Sequence, residues 1–395
     1  MVKLDIKKLK PGMIVQKPIV TKRGQTIAKA GTKLDSKLIA RLNFYKITEV
    51  AVDSEELLEP AKPVAIETPP PAPQPKEEPK AEPVEEPKPE PPKPVKEDSP
   101  QIRESMSYTN KLQTDKEFQN FQIDYSSNMA ALEDTFDTII FGDGNISEEE
   151  LIRKAESLFA SKTSIQLFDL LHCMKSIDDS VYAHSINVAL ISRAIGKWLK
   201  LPREELDELT IAGLLHDIGK AEIPDEVLNK QGKLTDEEFE LIKSHALKGS
   251  KLLKKAGFNS EIQFAALQHH ERADGSGYPR GLTADETSDF AQIIAIADVY
   301  DAMTSARSYR KPKCAFQVIA AFEDDGLQKY NTKYILTFLA RIANAYQNSL
   351  VILSDGRRGK IVYINKNKLS RPIVQVGDEM LDLTKEHDLS ITSIL

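Results

Sequence analysis

The sequence predicts a mainly α-helical protein with a small α+β module near its beginning and a small β element near its end. Three observations support this fold class. Apolar residues recur at spacings of three and four through much of residues 101–347, which is the pattern of helices with one buried face. Residues 59–100 hold 15 of the 22 prolines. After residue 349 the pattern changes to the shorter period of strands.

The proline-rich segment separates the first module from the rest of the chain. Its prolines interleave with Glu and Lys, so we expect an extended, polyproline-II-like linker that acts as a spacer. A docking motif is the alternative, although no aromatic or basic anchor accompanies the prolines. The predicted parts are a small module at 1–58, the linker at 59–100, a helical lead-in at 101–170, the main helical domain at 171–347 and a β element at 348–395.

The first module combines two short strands with one helix. It contains no histidine and no catalytic set of residues, so a regulatory or docking role and a purely structural role both stay open. The expected strands are Met13–Val15 and Ile47–Val52, the turns lie at Gly24 and Gly31, and Asp35 caps a helix with Leu38, Ile39, Leu42 and Tyr45 on one face.

Capping pairs mark the starts of helices in the middle of the chain, and a turn signal marks a hairpin near its end. A Ser or Thr followed three residues later by Glu or Gln can satisfy two free N–H groups of a first helical turn. Such pairs are Ser147 with Glu150, Thr235 with Glu238, and Ser260 with Gln263. The predicted C-terminal strands are Val351–Leu353 and Lys360–Ile364 on either side of Asp355-Gly356, and Pro372–Val376.

Composition excludes several classes of protein. The net charge of −7 gives no basic patch, so no polymeric nucleic acid is expected as a partner. Cys173 and Cys314 do not form a CxxC pair, which argues against a structural zinc site and fits a reducing compartment. Neither a secretory signal nor an apolar run long enough to span a membrane is visible, so we expect a cytoplasmic protein.

Six of the seven histidines fall between residues 172 and 270, and five of them lie on apolar helix stripes. A single histidine on such a stripe is more often a hydrogen-bonded core residue than a metal ligand. Five buried imidazoles would be costly to desolvate unless they converge on a cation. The five are His184, His216, His245, His269 and His270.

Two aspartates join these histidines in a predicted metal site. Asp217 follows His216 directly, and Asp298 lies in an apolar helix where an unpaired carboxylate would be costly. Seven nitrogen and oxygen ligands are too many for one tetrahedral zinc, and they suit two divalent transition metals such as iron or manganese. Lys220 lies one turn after His216 and could hold a phosphate oxygen; the alternative is a lysine that offsets the helix dipole.

Four motifs resemble those of a known family. The run HDIGK at residues 216–220 resembles the HD superfamily of metal-dependent phosphohydrolases. The run HHERADGSGYP at 269–279 looks like the signature of HD-GYP domains, the bacterial phosphodiesterases that act on cyclic di-GMP. The runs ADVYDAMT at 297–304 and RSYR at 307–310 are similar to the same family. The resemblance covers about a third of the chain, from His184 to Phe316.

The resemblance implies a fold, a reaction and a set of roles. The fold is an HD-type helical bundle in residues 171–347. The reaction is hydrolysis of cyclic di-GMP by a hydroxide that bridges the metals, and the end product is either pGpG or, after a second hydrolysis, GMP. By motif, the metal ligands are His184, His216, Asp217, His245, His269, His270 and Asp298, with Asp217 bridging. Lys220 matches the lysine at the scissile phosphate, and the dinucleotide contacts are Tyr278, Asp301, Arg307 and Arg310.

One position departs from the family pattern. Members with three metals carry a Glu four residues before the first histidine of the set, and here that position is Ser180. Asp178 and Asp179 lack the one-turn spacing to His184 that Ser180 has. We therefore predict two metals rather than three.

Two other functions stay open at this point. One is an HD hydrolase that acts on another cyclic dinucleotide or on a nucleotide monoester. The other is a signalling adaptor that binds a dinucleotide or a protein partner without turnover. The helices before residue 170 are a candidate surface for a homodimer.

Overall fold

A computed structural model describes two stretches of the chain. The first is residues 2–53 with gaps at 6–7, 11, 21–25, 35–37, 40–41, 43–46 and 48. The second is residues 116–395 with gaps at 143–145, 161, 175–179, 231, 306–311 and 326. The chain divides into two compact units, Met1–Ile102 and Arg103–Leu395. The predicted linker lies outside the described residues.

The first unit is a small sheet structure with its own apolar core. One antiparallel sheet has the strand order β1-β5-β2, and β3 pairs with β4. Leu38, Ile39 and Leu42 have helical backbone as predicted, whereas the expected cap Asp35 and the expected turn Gly24 lie outside the described residues. The strands are β1 Val2–Asp5, β2 Ile14–Val15, β3 Ile19–Val20, β4 Thr26–Ala28 and β5 Glu49–Asp53.

The second unit is mainly helical, which confirms the predicted fold class. Its helices are α1 Lys116–Phe141, α2 Glu148–Phe159, α3 Ser164–Met174, α4 Val181–Trp198, α5 Arg203–Leu215, α6 Asp225–Leu228, α7 Asp236–Lys255, α8 Ser260–Gln268, α9 Asp289–Thr304, α10 Ala315–Asp325 and α11 Thr332–Ala345. Among the described residues, none of the helices combines the length and the apolar character that crossing a bilayer requires.

Helix α4 lies at the centre of this unit. Nearly all of its residues from Ala183 to Gly196 are buried, because α1, α3, α5, α9 and α11 all pack against it. The phenol of Tyr125 on α1 donates to the carbonyl of Ala183 at 2.9 Å or to Asn187 Oδ1 at 2.7 Å. The helix that carries His184 is therefore fixed on several sides.

Two of the three predicted helix starts are confirmed, and the third is wrong by one residue. Thr235 and Glu238 form the complete capping box at the start of α7. The hydroxyl of Ser147 accepts from the N–H of Glu150 at the start of α2. The cap of α8 is Asn259 rather than Ser260, because the Asn259 side chain accepts from the N–H of Ile262 and leaves Ser260 as the first helical residue.

The C-terminal residues form one antiparallel sheet with the strand order β10-β6-β7-β8-β9. The predicted hairpin at Asp355-Gly356 and the third strand are confirmed, and the sequence did not reveal the last two strands. Apolar side chains of this sheet belong to the same buried core as those of helices α1–α5 and α7–α11. The strands are β6 Leu350–Leu353, β7 Arg358–Tyr363, β8 Ile373–Val376, β9 Glu379–Asp382 and β10 Ile391–Ile394.

Candidate metal centre

The centre is built around Asp217, whose side chain is only 1% exposed. Helix α5 ends at Leu215, and a 3-10 turn at Ile218–Glu222 carries the chain back towards α7. Gly219 permits this approach, because a Cβ atom at that position would lie 2.0 Å from the carbonyl oxygen of His245 on α7. His216 and Asp217 are thereby brought to the start of a turn that faces His245.

The predicted ligand residues come together from helices α4, α7 and α9 and from the residues directly after the ends of α5 and α8. Two groups of potential ligand atoms share Asp217, and within each group the atoms lie within 4.8 Å of one another. The first group is Asp217, His245, His269 and His270, and the second is His184, His216 and Asp217. Asp298 lies beside both, with Oδ1 3.1 Å from His184 Nε2 and Oδ2 3.9 Å from His270 Nδ1.

Backbone carbonyls orient three of the imidazoles. Nδ1 of His216 lies 2.8 Å from the oxygen of Gly213, and Nδ1 of His245 lies 2.6 Å from that of Ile242. Nδ1 of His269 lies 3.0 Å from the oxygen of Ala266. Carbonyl oxygens only accept, so each Nδ1 carries the proton and donates. Each Nε2 then presents a lone pair towards Asp217, as a metal ligand must.

A carboxylate orients the fourth imidazole. Nδ1 of His184 lies 2.7 Å from Oδ2 of Asp301, whose side chain is 1% exposed. Nε2 of the same ring faces Asp217 Oδ2 at 3.6 Å. Asp301 therefore lies behind a candidate ligand, on the side away from Asp217.

The residues fit divalent metal ions on structural grounds. Nε2 of His216 and Oδ1 of Asp217 are buried and make no hydrogen bond. Nε2 of His245 lies 3.3 Å from Nε2 of His269, although both rings already donate through Nδ1. Two acceptor nitrogens facing each other across a buried space are unfavourable unless a cation lies between them.

Burial keeps three imidazoles neutral. It lowers the pKa of His270 to about 3. It also lowers the pKa of His269, helped by the neighbouring His270, and that of His245. Neutral imidazole is the form that binds metals.

The other charges in the centre are stabilised by partners. Burial raises the pKa of the Asp217 carboxyl, but Lys220 and His216 outweigh it and hold that pKa well below its usual range. Burial lowers the pKa of His184, but hydrogen bonds with Asp298 and Asp301 outweigh it and bring the pKa to about 9. Lys220 Nζ forms a direct ion pair with Asp217 Oδ2.

The loop after His270 is folded back on itself. The Tyr278 ring packs on the imidazole of His270, with centroids 4.6 Å apart and planes at 31°, and the Tyr278-Pro279 peptide bond is cis. Glu271 is buried, and its two carboxylate oxygens accept from the N–H groups of Arg280 at 2.8 Å and Leu282 at 3.0 Å. One carboxylate thus holds the far side of the turn that presents Tyr278.

The structure brings most of the predicted site residues together. The seven candidate ligands, Lys220 and Tyr278 lie together, and Asp301 lies behind His184. Arg307 and Arg310 lie outside the described residues. Sequence reasoning assigned no role to Glu271, although an acidic residue directly after the two histidines was a visible signal.

Comparison with known proteins identifies the region that carries this centre. Residues 150–333 match the family model described as HD domain. These residues form an HD domain. The match confirms the resemblance drawn from the motifs, and it extends beyond the motif region on both sides.

Proteins with similar HD domains carry names that refer to cyclic dinucleotides. A cyclic di-GMP phosphodiesterase of Pseudomonas aeruginosa is 37% identical over 205 residues, which cover 51% of this chain and 49% of that protein. A cyclic di-GMP phosphodiesterase of Thermotoga maritima is 35% identical over 198 residues, covering 48% and 53%. A 3'3'-cGAMP-specific phosphodiesterase of Vibrio cholerae is 43% identical over 129 residues, covering 33% and 30%. The chain therefore spans about half the length of the first two relatives.

Proposed function

We propose that the chain is a metal-dependent phosphodiesterase that hydrolyses cyclic di-GMP. The observation that carries this proposal is the pair of ligand groups joined by Asp217, next to the loop that presents Tyr278. The names of the relatives that share the HD domain support the same substrate. The products we expect are pGpG and, with further turnover, GMP.

The ligand set supports two metal ions, iron or manganese. One ion would be held by His184, His216 and Asp217, and the other by Asp217, His245, His269 and His270, with Asp298 beside both. When bound, two such ions supply a hydroxide at neutral pH and a Lewis-acid clamp for a phosphate. A mixed imidazole and carboxylate set without cysteine suits these metals.

The position of Ser180 supports two ions rather than three. Its hydroxyl accepts from the N–H of Ala183 and caps helix α4. The family Glu at this position would offer a carboxylate one turn before His184, whereas a capping hydroxyl offers no charge. Finding three fully occupied metals in the purified protein would contradict this proposal.

The chain's own side chains would bind and orient the substrate. Lys220 lies beside Asp217, where its ammonium would hold a phosphate oxygen and balance the charge that develops there. Tyr278 would contact the dinucleotide from the loop, and Arg307 and Arg310 would hold phosphate or guanine. The contact of Asp301 with His184 supports a positioning role for that carboxylate over a substrate contact.

The test is anaerobic incubation of the chain with cyclic di-GMP and ferrous iron or manganese, with products separated by chromatography. The control is the variant His216→Ala/Asp217→Ala, which removes ligands from both groups. We expect pGpG or GMP from the wild type alone. Binding of cyclic di-GMP without turnover in either metal would support the adaptor function instead.

A second candidate substrate is 3'3'-cGAMP. The observation in its favour is the relative of that specificity, which is 43% identical over 129 residues. Both dinucleotides contain a guanine and the same phosphodiester chemistry. Comparing kcat/KM for cyclic di-GMP and 3'3'-cGAMP under the better metal decides between them.

A further inference from the structure

A row of side chains leads from the metal centre to the protein surface. The Tyr278 ring packs on His270, as described above. Lys243 Nζ lies 5.6 Å from the centroid of the Tyr278 ring and 4.7 Å from the centroid of the Phe239 ring. Phe239 and Lys243 lie one turn apart on α7, the helix that also carries His245. The proposed mechanism uses neither of them.

The Phe239 ring is exposed at the surface end of this row of side chains, where a ligand could contact it. Its side chain is 46% exposed, and Lys243 covers only part of the ring. Single exposed apolar residues are common on proteins, so exposure alone indicates nothing. Here the exposed ring stands next to a cation and close to the loop that would present Tyr278 to a substrate.

Lys243 can exchange its present partner for a ligand. Its ammonium lies 2.6 Å from Oε1 of Glu240, one turn away on the same helix. The Glu240 side chain is 69% exposed and the Lys243 side chain 26%, so water solvates the carboxylate of this pair well, and an ion pair with one well-solvated partner contributes little stability. Little free energy therefore opposes the transfer of Lys243 to a ligand acceptor.

We propose that Phe239 and Lys243 form a guanine-binding subsite at the rim of the centre. A cyclic dinucleotide has two bases, and both project away from the phosphate that would lie at the ligand groups. The Phe239 ring would stack on one base, as aromatic rings do with single-stranded bases. The Lys243 ammonium would donate to the O6 and N7 acceptors of guanine. This inference rests on the proposed function.

The Phe239 half of the proposal predicts a change in KM. We expect Phe239→Ala to raise KM for cyclic di-GMP about tenfold, because stacking is lost, and to leave kcat within about twofold. Phe239→Tyr, which keeps the ring, should restore the wild-type KM. Hydrolysis of bis(p-nitrophenyl) phosphate, which has no base, should be unchanged in both variants.

The Lys243 half predicts a change in base preference. Adenine carries an amino donor where guanine carries O6, so an ammonium at that edge favours guanine. Lys243→Met keeps an apolar side chain of similar length but removes the ammonium. We expect this variant to lower the ratio of the inhibition constant of cyclic di-AMP to the KM of cyclic di-GMP about tenfold, with cyclic di-AMP as a competitive inhibitor. The matched control is Leu247→Ala, an exposed apolar residue one turn further along α7, which should change neither value.

The outcomes separate this inference from the proposed function. If the wild type hydrolyses cyclic di-GMP and Phe239→Ala leaves its KM unchanged, the subsite is wrong and the phosphodiesterase stands. Equal losses on cyclic di-GMP and on bis(p-nitrophenyl) phosphate would indicate damage to the metal centre and would also overturn the subsite. If the wild type hydrolyses only the base-free diester, the proposed substrate fails and the subsite fails with it.

Discussion

Four imidazoles around Asp217 owe their orientation to the nitrogen that faces away from it. Three donate from Nδ1 to a backbone carbonyl, and His184 pairs with the carboxylate of Asp301. A carboxylate behind an imidazole raises the basicity of the other nitrogen more than a carbonyl does, because it carries a full charge. We therefore expect Asp301 to influence metal binding by His184, although the Asp301 carboxylate lies on the side of that ring away from Asp217.

We expect Asp301→Ala to weaken metal binding about 10- to 100-fold, because the His184 ring loses the group that orients it. Asp301→Asn should recover part of the affinity, since its amide oxygen can still accept from Nδ1. The measurement is metal retained against a competing chelator, together with KM for cyclic di-GMP. A raised KM with unchanged metal affinity would instead support the substrate contact predicted from the motif.

Asp289→Asn is the control for this experiment. Asp289 lies at the start of the same helix, α9, and accepts from the hydroxyl of Tyr334 at 2.7 Å. Its loss should cost stability without changing metal affinity.

The sequence predicted which candidate ligand residues would lie close together, but not the contacts behind them. Burying five histidines together with Asp217 and Asp298 costs desolvation free energy unless their side chains lie close enough to share a cation. The structure brings these side chains close together. Asp301 lies three residues after Asp298, and spacing alone does not show whether its carboxylate faces a ligand ring or a substrate. That distinction depends on how α9 packs against α4, which is a property of tertiary structure.

At the scale of elements, one buried carboxylate holds the two sides of the loop after His270 together. Glu271 holds the N–H groups of Arg280 and Leu282, and a Cβ atom at Gly277 would lie 2.4 Å from the Glu271 Cα atom. Position 277 therefore requires glycine for close packing of the loop against its own beginning. The loop carries Tyr278 at its tip and begins at a candidate metal ligand.

We expect Glu271→Gln to raise KM for cyclic di-GMP about 5- to 50-fold. A glutamine amide keeps one acceptor and presents a donor to the second N–H group, so one partly buried N–H group loses its hydrogen bond, at a cost of about 1 kcal/mol. Steady-state kinetics, compared with bis(p-nitrophenyl) phosphate hydrolysis, is the measurement. Glu286→Gln, in an exposed capping box nearby, is the control and should behave like the wild type. An unchanged KM in Glu271→Gln would show that the loop does not depend on this carboxylate.

The close approach of the 3-10 turn to α7 makes a second prediction at this scale. Gly219→Ala places a Cβ atom 2.0 Å from the His245 carbonyl oxygen, so the turn or the helix must move. We expect the free energy of unfolding to fall by about 1–3 kcal/mol, with loss of metal because Asp217 moves away from His245. Thermal unfolding and metal analysis measure the two effects.

Gly249→Ala is the comparison for this variant. Gly249 lies on α7 opposite the same turn, and its nearest neighbour to an added Cβ is the Gly219 nitrogen at 3.2 Å. A much smaller loss of stability is expected there. Equal effects of the two substitutions would contradict the proposed role of Gly219.

The bounds of single helices and strands were predicted from residues that are close in sequence. These predictions were wrong where a second possible cap residue lay next to the predicted one, and strands were missed where the apolar pattern was weak. The capping box at Thr235 was predicted because both partners are within one turn. Ser260 with Gln263 matches the capping pattern, but Asn259 is an equally good cap, and only the backbone shows which residue precedes the helix. Strands β9 and β10 each have two polar residues among four, whereas the predicted strands β6 and β8 have at most one, so no apolar run marks β9 and β10.

At the scale of the whole molecule, the two ends of the chain differ in their relation to the metal centre. The first unit has a core of its own, which includes Val15 and Val52. The C-terminal sheet instead contributes Val351, Ile361 and Val374 to the core that helices α1–α5 and α7–α11 share. Its apolar residues complete the same core on which the position of α4 and α9 depends.

This difference predicts opposite results for removing the first unit and for removing the C-terminal sheet. A chain of residues 103–395 should keep its metals and hydrolyse cyclic di-GMP with kcat/KM within about twofold of the full chain, because every candidate ligand and the whole shared core remain. A chain that ends at residue 347 should lose cooperative unfolding. Its core would be exposed where Val351 and Ile361 packed. The Glu323 carboxylate on α10 would also lose the hydrogen bond that it accepts from the N–H of Leu369 at 2.6 Å.

Thermal unfolding followed by near-ultraviolet circular dichroism, with metal analysis of each chain, measures both effects. If residues 1–347 unfold cooperatively and retain metal, the C-terminal sheet is an appendage and the shared core does not support the centre. If residues 103–395 fold and retain metal but lose hydrolysis, the first unit acts on turnover itself. That result would give the first unit a regulatory role, which its sequence left open, and it would do so without any change in the ligand residues.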